Sequence, residues 1–214
     1  MQYLCHVCVG QDGFPYAGIA PAARSAAEII GHQFFRINMA HDFTFCPRCA
    51  TRLEFIAALE DGGAKQRLRC AACGFTHWNN PVPVLAAVIE YQGKILLARN
   101  AAWPGKMFAL ITGFMEAGET PEAGIAREIR EETSLDTGAL KLIGVYDFQR
   151  MNQIIIAYHA LCTGGVQLSP ELVDYRLYEP QDVKCWPAGT GYALADWLKS
   201  RGHEPHFVDW GRKG

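Results

Sequence analysis

The sequence has no long hydrophobic run, no excess of one charge sign, no internal repeat and no low-complexity tract. Its longest apolar run, Val84 to Ile89, ends at Glu90 and falls far short of the roughly 18 residues that span a bilayer. The 20 basic and 22 acidic residues give a formal net charge of -2, so the chain as a whole does not attract nucleic acid or an anionic membrane. No basic segment precedes apolar residues at the N-terminus, so no secretory signal is evident and we expect a cytoplasmic protein without a membrane partner.

The composition is that of an ordinary folded protein. Half of the residues are hydrophobic and 20% are charged, which excludes disorder throughout the chain. A length of 214 residues is about one and a half times a common domain, so two unequal units are expected.

Six of the eight cysteines stand in C-x-x-C pairs, which are Cys5/Cys8, Cys46/Cys49 and Cys70/Cys73. Twenty residues separate the second pair from the third, a spacing typical of a four-thiolate zinc site. Such a site has no open coordination position, so we expect Zn²⁺ here to support the fold and not to catalyse. The first pair has no partner pair, and its role stays open.

Three regions follow from these features. Residues 1–40 are an N-terminal extension of uncertain structure, residues 43–78 are a zinc ribbon, and residues 84–203 are the main domain. Thirty-odd residues cannot bury a sufficient core, so metal binding should supply much of the ribbon's folding free energy.

The main domain alternates strand patterns with only two helical patterns, at Pro121–Thr133 and Tyr192–Ser200. The predicted strands are Val84–Tyr91, Lys94–Arg99, Met107–Thr112, Leu140–Phe148 and Gln153–Leu161. This order predicts an α/β fold with a mixed sheet covered by helices.

The first helix carries the densest charge of the chain. Thr120 is placed to cap it and Pro121 suits its first position. At helical spacing, Glu128, Glu131 and Glu132 form one ridge of carboxylates, and their mutual repulsion favours a bound cation. Hard oxygen ligands favour Mg²⁺ or Mn²⁺. Taken alone, however, such a run is usually a solvated charged face.

The loop before this helix changes that interpretation. The string Gly113, five residues, Glu119, seven residues, Arg127-Glu128-Ile129, one residue, Glu131-Glu132, one residue, Ser134-Leu135 resembles the Nudix box, G-x5-E-x7-R-E-U-x-E-E-x-G-U, with U aliphatic. Only Ser134 departs from it, because the family has glycine there. The resemblance implies a Nudix hydrolase of α/β/α sandwich fold, here preceded by the zinc ribbon.

The resemblance also implies roles for the matching residues. Divalent cations would be ligated by Glu128, Glu131 and Glu132, and Gly113 would lend its carbonyl. Glu119 would pair with Arg127 to hold the loop against the helix, so that both join the catalytic set.

A later stretch, Pro170–Tyr178, resembles the E-x-x-E/D-x-R-W/L-F/Y segment of ribbon-bearing Nudix groups that act on NAD(H), ADP-ribose or flavin adenine dinucleotide. By that similarity Glu171 is a further metal ligand, and an exposed loop acid is the alternative. The S-Q-P-W-P-F-P-x-S signature of NAD(H) diphosphatases has only scattered correspondence in Tyr146–Gln153, which argues against strict NADH specificity.

The implied substrate is a nucleoside diphosphate linked to another group, with ADP-ribose, flavin adenine dinucleotide and NAD(H) as the leading candidates. Phe114 and Phe148 are candidates to stack on an adenine ring, although aromatic residues at strand spacing are more often core. Arg99 is a candidate phosphate partner, and a surface salt bridge is equally compatible with its position.

Two alternatives remain open. One is a non-catalytic Nudix-like sensor that binds nucleic acid through the ribbon residues Lys65, Arg67 and Arg69. The other is an enzyme that acts on nucleotide-capped RNA ends, since a cap contains the same diphosphate. The resemblance further implies a possible homodimer.

Overall fold

The computed structural model describes residues 43–103 and 107–208. The predictions for residues 1–40 and for the Cys5/Cys8 pair therefore lie outside the described residues.

The described part of the chain contains two helices, α1 (Pro121–Thr133) and α2 (Thr190–Ser200), and a 3-10 turn at Gln149–Met151. The strands are β1 (Glu54–Glu60), β2 (Gly63–Arg69), β3 (Thr76–His77), β4 (Val82–Tyr91), β5 (Lys94–Asn100), β6 (Ile111–Phe114), β7 (Asp136–Phe148), β8 (Gln153–Thr163), β9 (Leu172–Tyr178), β10 (Lys184–Cys185) and β11 (His206–Phe207). None of the described helices is long and apolar enough to cross a membrane.

The first three strands form a small antiparallel sheet of their own, in the order β1-β2-β3. Its core is minimal, because the buried apolar side chains there are Cys46, Leu53, Leu68 and Cys70, with Phe75 packed against them. Two of these four are cysteines of the C-x-x-C pairs, so the cysteines form half of the core as well as the candidate metal site.

The main sheet has the order β7-β8-β4-β5-β9, and β6 pairs with the first half of β4. It is mixed, because β4 runs parallel to β8 and the other pairs are antiparallel. Strands β4 and β5 are antiparallel and form a hairpin. Its turn residues Gln92 and Gly93 have φ of 53° and 74°, as a two-residue hairpin of the type I′ class requires.

The two faces of the sheet are covered by different helices. Along β4, Leu85, Ala87 and Ile89 pack in a cluster with Ile125 and Ile129 of α1. The alternate residues face the other side, where Val88 joins Leu194 and Leu198 of α2 in a second cluster. Since side chains alternate along a strand, one buried strand supplies both cores, and the expected α/β/α sandwich is confirmed.

One predicted strand is shorter than expected. The apolar run Met107–Thr112 becomes strand only from Ile111, and β6 continues to Phe114. Before that, Ala109 exchanges backbone hydrogen bonds of 2.9 Å with Ala98 as an isolated bridge. Hydrophobicity alone does not place the start of such a strand, because a bridged loop residue can be as apolar as a strand residue.

Helix α1 begins and ends as the sequence predicts. The Thr120 hydroxyl accepts a hydrogen bond of 3.2 Å from the Ala123 N–H, and Pro121 occupies the first turn. At the other end, Ser134 adopts the left-handed conformation with φ 59° and ψ 13°. The residue that departs from the Nudix pattern thus takes the backbone geometry for which the family pattern has glycine.

We expect Ser134→Gly to raise the free energy of unfolding by about 0.5–1 kcal/mol, because glycine adopts positive φ without the steric cost that serine bears. For a chain of this size the melting temperature should rise by about 2 °C, measured by calorimetry. The matched control Ser134→Ala keeps a Cβ atom at this positive φ, so it should not raise the free energy of unfolding. A Ser134→Gly protein no more stable than the parent would contradict this explanation.

Candidate functional site

The four cysteine thiols converge at one point of the ribbon. Their Sγ atoms all lie within 4.8 Å of one another, and the pairs Cys46/Cys73 and Cys49/Cys70 are 3.5 and 3.4 Å apart. A zinc tetrahedron with Zn–S bonds of about 2.3 Å has edges of about 3.8 Å, whereas a disulfide needs about 2.05 Å. The thiols are therefore arranged for a shared metal ion and not for disulfides.

Arg67 and Arg69 of the ribbon are paired with one acidic residue. The Glu60 carboxylate accepts hydrogen bonds from Arg67 Nε at 2.8 Å and from Arg67 Nη2 at 2.9 Å, and it also forms an ion pair with Arg69. The Arg67 guanidinium further lies over the Trp78 ring, 5.0 Å from its centroid. Two of the three cations that a nucleic-acid surface would use are thus held by one acid.

On the main domain, Arg127 connects the loop after β6 with α1. Its Nε and Nη2 donate to Glu119 Oε2 and Oε1 at 3.1 and 2.9 Å, and Nη2 also donates to the Phe114 carbonyl at 3.2 Å. Glu119 in turn accepts from the Glu116 N–H at 2.7 Å. The Arg127 hydrogen bonds hold the pKa of Glu119 below its ordinary value, so this carboxylate stays ionised as part of the brace.

The same guanidinium reaches two residues of the carboxylate ridge. Arg127 Nη1 lies 2.8 Å from Glu128 Oε1 and 3.1 Å from Glu131 Oε2. Glu128 is nearly covered, with 12% of its side chain exposed, whereas Glu131 is 60% exposed. Each carboxylate has one oxygen bound to Arg127 and a second that Arg127 does not contact.

Gly113 makes room for Glu128. A methyl group added to Gly113 would lie 1.9 Å from the Glu128 carboxyl carbon and 2.1–2.2 Å from both of its oxygens. Any side chain at this position would therefore displace the carboxylate. The glycine of the motif is explained by this close approach between β6 and α1.

Glu132 is brought next to Glu171, which follows it by 39 positions in the chain. The segment before β9 is tied to the end of α1 by two backbone hydrogen bonds, Gln167 N–H to the Thr133 carbonyl at 2.9 Å and Ser169 N–H to the Glu132 carbonyl at 3.0 Å. Glu171 is exposed and follows Ser169 by two residues. The fold thus brings Glu171 near enough to Glu132 for its charge to act on that carboxyl.

The electrostatics of this cluster favour a cation. Burial, and then the charges of Glu128, Glu171 and Glu131, raise the pKa of Glu132 to about 8. Burial also raises the pKa of Glu128, although its Arg127 hydrogen bond acts in the opposite direction. A cation bound beside these carboxylates would offset both effects, because it favours their ionised form.

The donor set fits a hard divalent ion. Within residues 43–103 and 107–208, no Lys, Arg or His lies within salt-bridge distance of the Glu132 carboxyl, which is half-buried. In the same residues only the four cysteines gather three or more ligand atoms within 4.8 Å, so the glutamates are less closely grouped. Carboxylate oxygens with water completing the shell are the usual surroundings of Mg²⁺.

The residues predicted for substrate binding do not all meet at this cluster. Phe114 lies beside it, 43% exposed, with its carbonyl bound to Arg127. Phe148 instead packs against the cluster that contains Ala193 of α2, on the opposite face of the sheet. Arg99 follows Leu97 by two residues on β5 and therefore shares its face, which is the α2 side of the sheet.

Sequence reasoning missed the segment Val166–Ser169, although it places Glu171. Val166 and Leu168 pack against the α1 core cluster, and the N–H groups of Gln167 and Ser169 bind the helix end. Backbone donors have no side-chain signature, so only an alternation of two apolar residues marks this segment in the sequence.

The described residues form an α/β/α sandwich with a braced ridge of carboxylates on one helix, preceded by a four-cysteine ribbon. The comparisons identify the family that has this architecture. The family model described as NUDIX domain matches residues 79–197, and the zinc-ribbon model described as Nudix N-terminal matches residues 44–79. The chain belongs to the Nudix family.

Curated relatives include the "NAD-capped RNA hydrolase NudC" of Vibrio atlanticus, 28% identical over 150 residues, which are 70% of this chain and 53% of that protein. The protein of the same name from Mycobacterium tuberculosis (strain H37Ra) is 40% identical over 78 residues, 36% of this chain and 25% of that protein. The chain thus spans about half the length, or less, of these relatives.

Among solved structures, a NUDIX hydrolase from Nitrosomonas europaea has a TM-score of 0.64 and 26% identity. The match covers 77% of this chain and 96% of that one. The similarity therefore extends over nearly all of that protein.

Proposed function

We propose that this protein hydrolyses the diphosphate bond of a nucleoside diphosphate linked to another group, with Mg²⁺ or Mn²⁺, and releases two monophosphates. The observation that carries this proposal is the grouping of Glu132 with Glu128 and Glu171, whose charges act on it. Arg127 pairs with Glu128 and Glu131, but no basic residue of the described ranges lies within salt-bridge distance of the Glu132 carboxyl. The family membership and the names of the two curated relatives support the same class of reaction.

Each side chain has a distinct task in this proposal. The cation would be held by Glu128, Glu131, Glu132 and Glu171, with the Gly113 carbonyl as a further ligand. When bound, it would neutralise the diphosphate oxygens and orient a water molecule for attack. Arg127 and Glu119 keep the loop at the helix, so that the diphosphate meets a preformed surface.

The proposed substrate class is an adenine dinucleotide. Its diphosphate repels anionic nucleophiles, which is why a carboxylate ridge with cations suits it better than an uncharged cleft. Phe114 is the better placed of the two stacking candidates, because it is exposed and adjoins Arg127. The roles proposed for Phe148 and Arg99 would require a substrate that extends around the sheet edge to the α2 side.

In the ribbon, we propose one structural Zn²⁺ held by Cys46, Cys49, Cys70 and Cys73. The domain bounds 43–78 and 84–203, a cytoplasmic location and a homodimer remain predictions of the sequence.

A product assay tests the proposed reaction. The purified protein is incubated with NAD⁺, NADH, ADP-ribose, flavin adenine dinucleotide, or an RNA oligonucleotide that begins with NAD, in Mg²⁺, Mn²⁺ or excess chelator. Mass spectrometry should detect AMP from the free compounds, or a 5′-monophosphate end from the RNA, only when a divalent ion is present. An oligonucleotide with a 5′-hydroxyl is the matched control.

The pattern of rates separates the remaining substrates. Faster hydrolysis of the NAD-linked RNA than of free NAD⁺ would assign the enzyme to capped RNA, and the reverse order to free dinucleotides. No product from any compound, together with salt-sensitive RNA or DNA binding, would replace the proposal with a nucleic-acid-binding sensor. The pairing of Arg67 and Arg69 with Glu60 argues against that outcome.

A further inference from the structure

Ser169, which lies outside the Nudix pattern, makes three hydrogen bonds near the carboxylate cluster. Ser169 donates its N–H to the Glu132 carbonyl at 3.0 Å, and its own carbonyl accepts from the Leu172 N–H at 3.1 Å. Its hydroxyl oxygen accepts from the Glu171 N–H at 3.3 Å. Ser169 therefore contacts the residues that carry the last two proposed ligands.

The backbone of Glu171 is hydrogen-bonded at both its N–H and its carbonyl. On its N-terminal side the Ser169 hydroxyl holds its N–H, and beyond it the Glu171 carbonyl accepts from the Ala101 N–H at 2.8 Å. The preceding Leu168 packs against the core under α1, which anchors the turn to the sheet. An exposed acid at the start of a strand would otherwise have many rotamers and backbone states to choose from.

We propose that Ser169 is a positioning residue, whose hydroxyl sets the place of Glu171 relative to Glu132 and thereby strengthens the binding of the divalent ion. This inference rests on the proposed function and adds to it a residue outside the motif. Hydrogen-bond partners of metal ligands commonly change metal affinity by about 10- to 100-fold when they are removed. Because the Ser169 hydroxyl holds the backbone of only one proposed ligand, the effect of removing it should lie at the low end of that range.

The variant Ser169→Ala removes only the hydroxyl and leaves the N–H that binds the Glu132 carbonyl. We expect the dissociation constant of Mn²⁺ in the absence of substrate, measured by electron paramagnetic resonance, to rise about tenfold. Ser169→Thr retains the hydroxyl and should restore the parent value. In turnover assays, kcat at a fixed low Mn²⁺ concentration should fall and recover at saturating Mn²⁺, while the KM for substrate is unchanged.

Ser200→Ala is the matched control, since it also removes a serine hydroxyl bonded to the backbone, here to the Trp197 carbonyl at 2.7 Å at the end of α2. It should leave Mn²⁺ affinity unchanged. If Ser169→Ala does not fold, Ser169→Cys supplies the test, because a thiol is only a weak acceptor.

A double-mutant cycle with Glu171→Gln shows whether Ser169 acts through Glu171. In the Glu171→Gln background, Ser169→Ala should have no further effect on Mn²⁺ affinity. An undiminished effect there, an unchanged affinity of Ser169→Ala alone, or an equal loss in Ser200→Ala would each overturn the inference. A parent protein that binds no Mn²⁺ would instead overturn the proposed function, so the two failures are distinct.

Discussion

Replacement of Glu132 by glutamine is expected to lower kcat/KM for the dinucleotide substrate by about a thousandfold, while the fold remains intact. The amide has nearly the same shape but no negative charge. It therefore removes the proposed ligand that is half-buried and has no basic partner in the described residues. Several kcal/mol of transition-state stabilisation depend on a correctly held cation, which corresponds to that factor in rate. Steady-state kinetics at saturating Mg²⁺ and a calorimetric melting curve measure the two quantities.

Glu122→Gln is the matched control for this prediction. It makes the same change on the same helix, but Glu122 accepts a hydrogen bond of 2.6 Å from the Tyr158 hydroxyl and is not among the proposed ligands. Because an amide oxygen can also accept that bond, the rate should stay within about threefold of the parent, a difference of less than 1 kcal/mol. Near-parent activity of Glu132→Gln would remove this residue from the proposed site.

The second large effect is expected from Cys70→Ser. A hydroxyl is a poor substitute for a thiolate ligand, so the proposed zinc ion should be lost and atomic absorption should show its content falling from about one per chain towards zero. Structural zinc contributes on the order of 10 kcal/mol to folding in small metal-bound units. Without it, the buried apolar side chains around Cys70 are too few to hold the ribbon sheet.

The loss of structure in Cys70→Ser should be confined to the ribbon, because the main domain has its own core clusters on both faces of its sheet. Hydrogen exchange measured by mass spectrometry should therefore increase in β1–β3 and remain slow in β4 and β8. Cys162→Ala is the control, since Cys162 is a buried free thiol of the main domain. An unchanged zinc content in Cys70→Ser would contradict the proposed four-thiolate site.

Local features were the most predictable from the sequence. The bounds of α1 agree with the prediction, because Thr120 and Pro121 specify its start through contacts within a few residues. The hairpin at Gln92-Gly93 was predictable for the same reason, since turn geometry depends on the two residues that adopt it. The predicted start of β6 was four residues too early, because strand pairing depends on a partner that is distant in the sequence.

The candidate site was predictable only in part. The spacing of Glu128, Glu131 and Glu132 predicts a common ridge, since the period of a helix fixes it. The sequence could not predict that Arg67 and Arg69 share Glu60, because the pairing depends on the register of β1 with β2. Nor could it show that Phe148 faces α2, because that face follows from the pairing and bulges of β7.

The sequence by itself determined the helix that carries three of the acids, the glycine that admits Glu128, and the cysteine spacing of the ribbon, because each is set by backbone geometry within a short stretch. Only the tertiary structure brought Glu171 to Glu132, through backbone hydrogen bonds between the segment before β9 and the end of α1. Those bonds form between N–H and carbonyl groups that every residue type except proline can supply, so they follow from how the chain folds back and not from which side chains it carries.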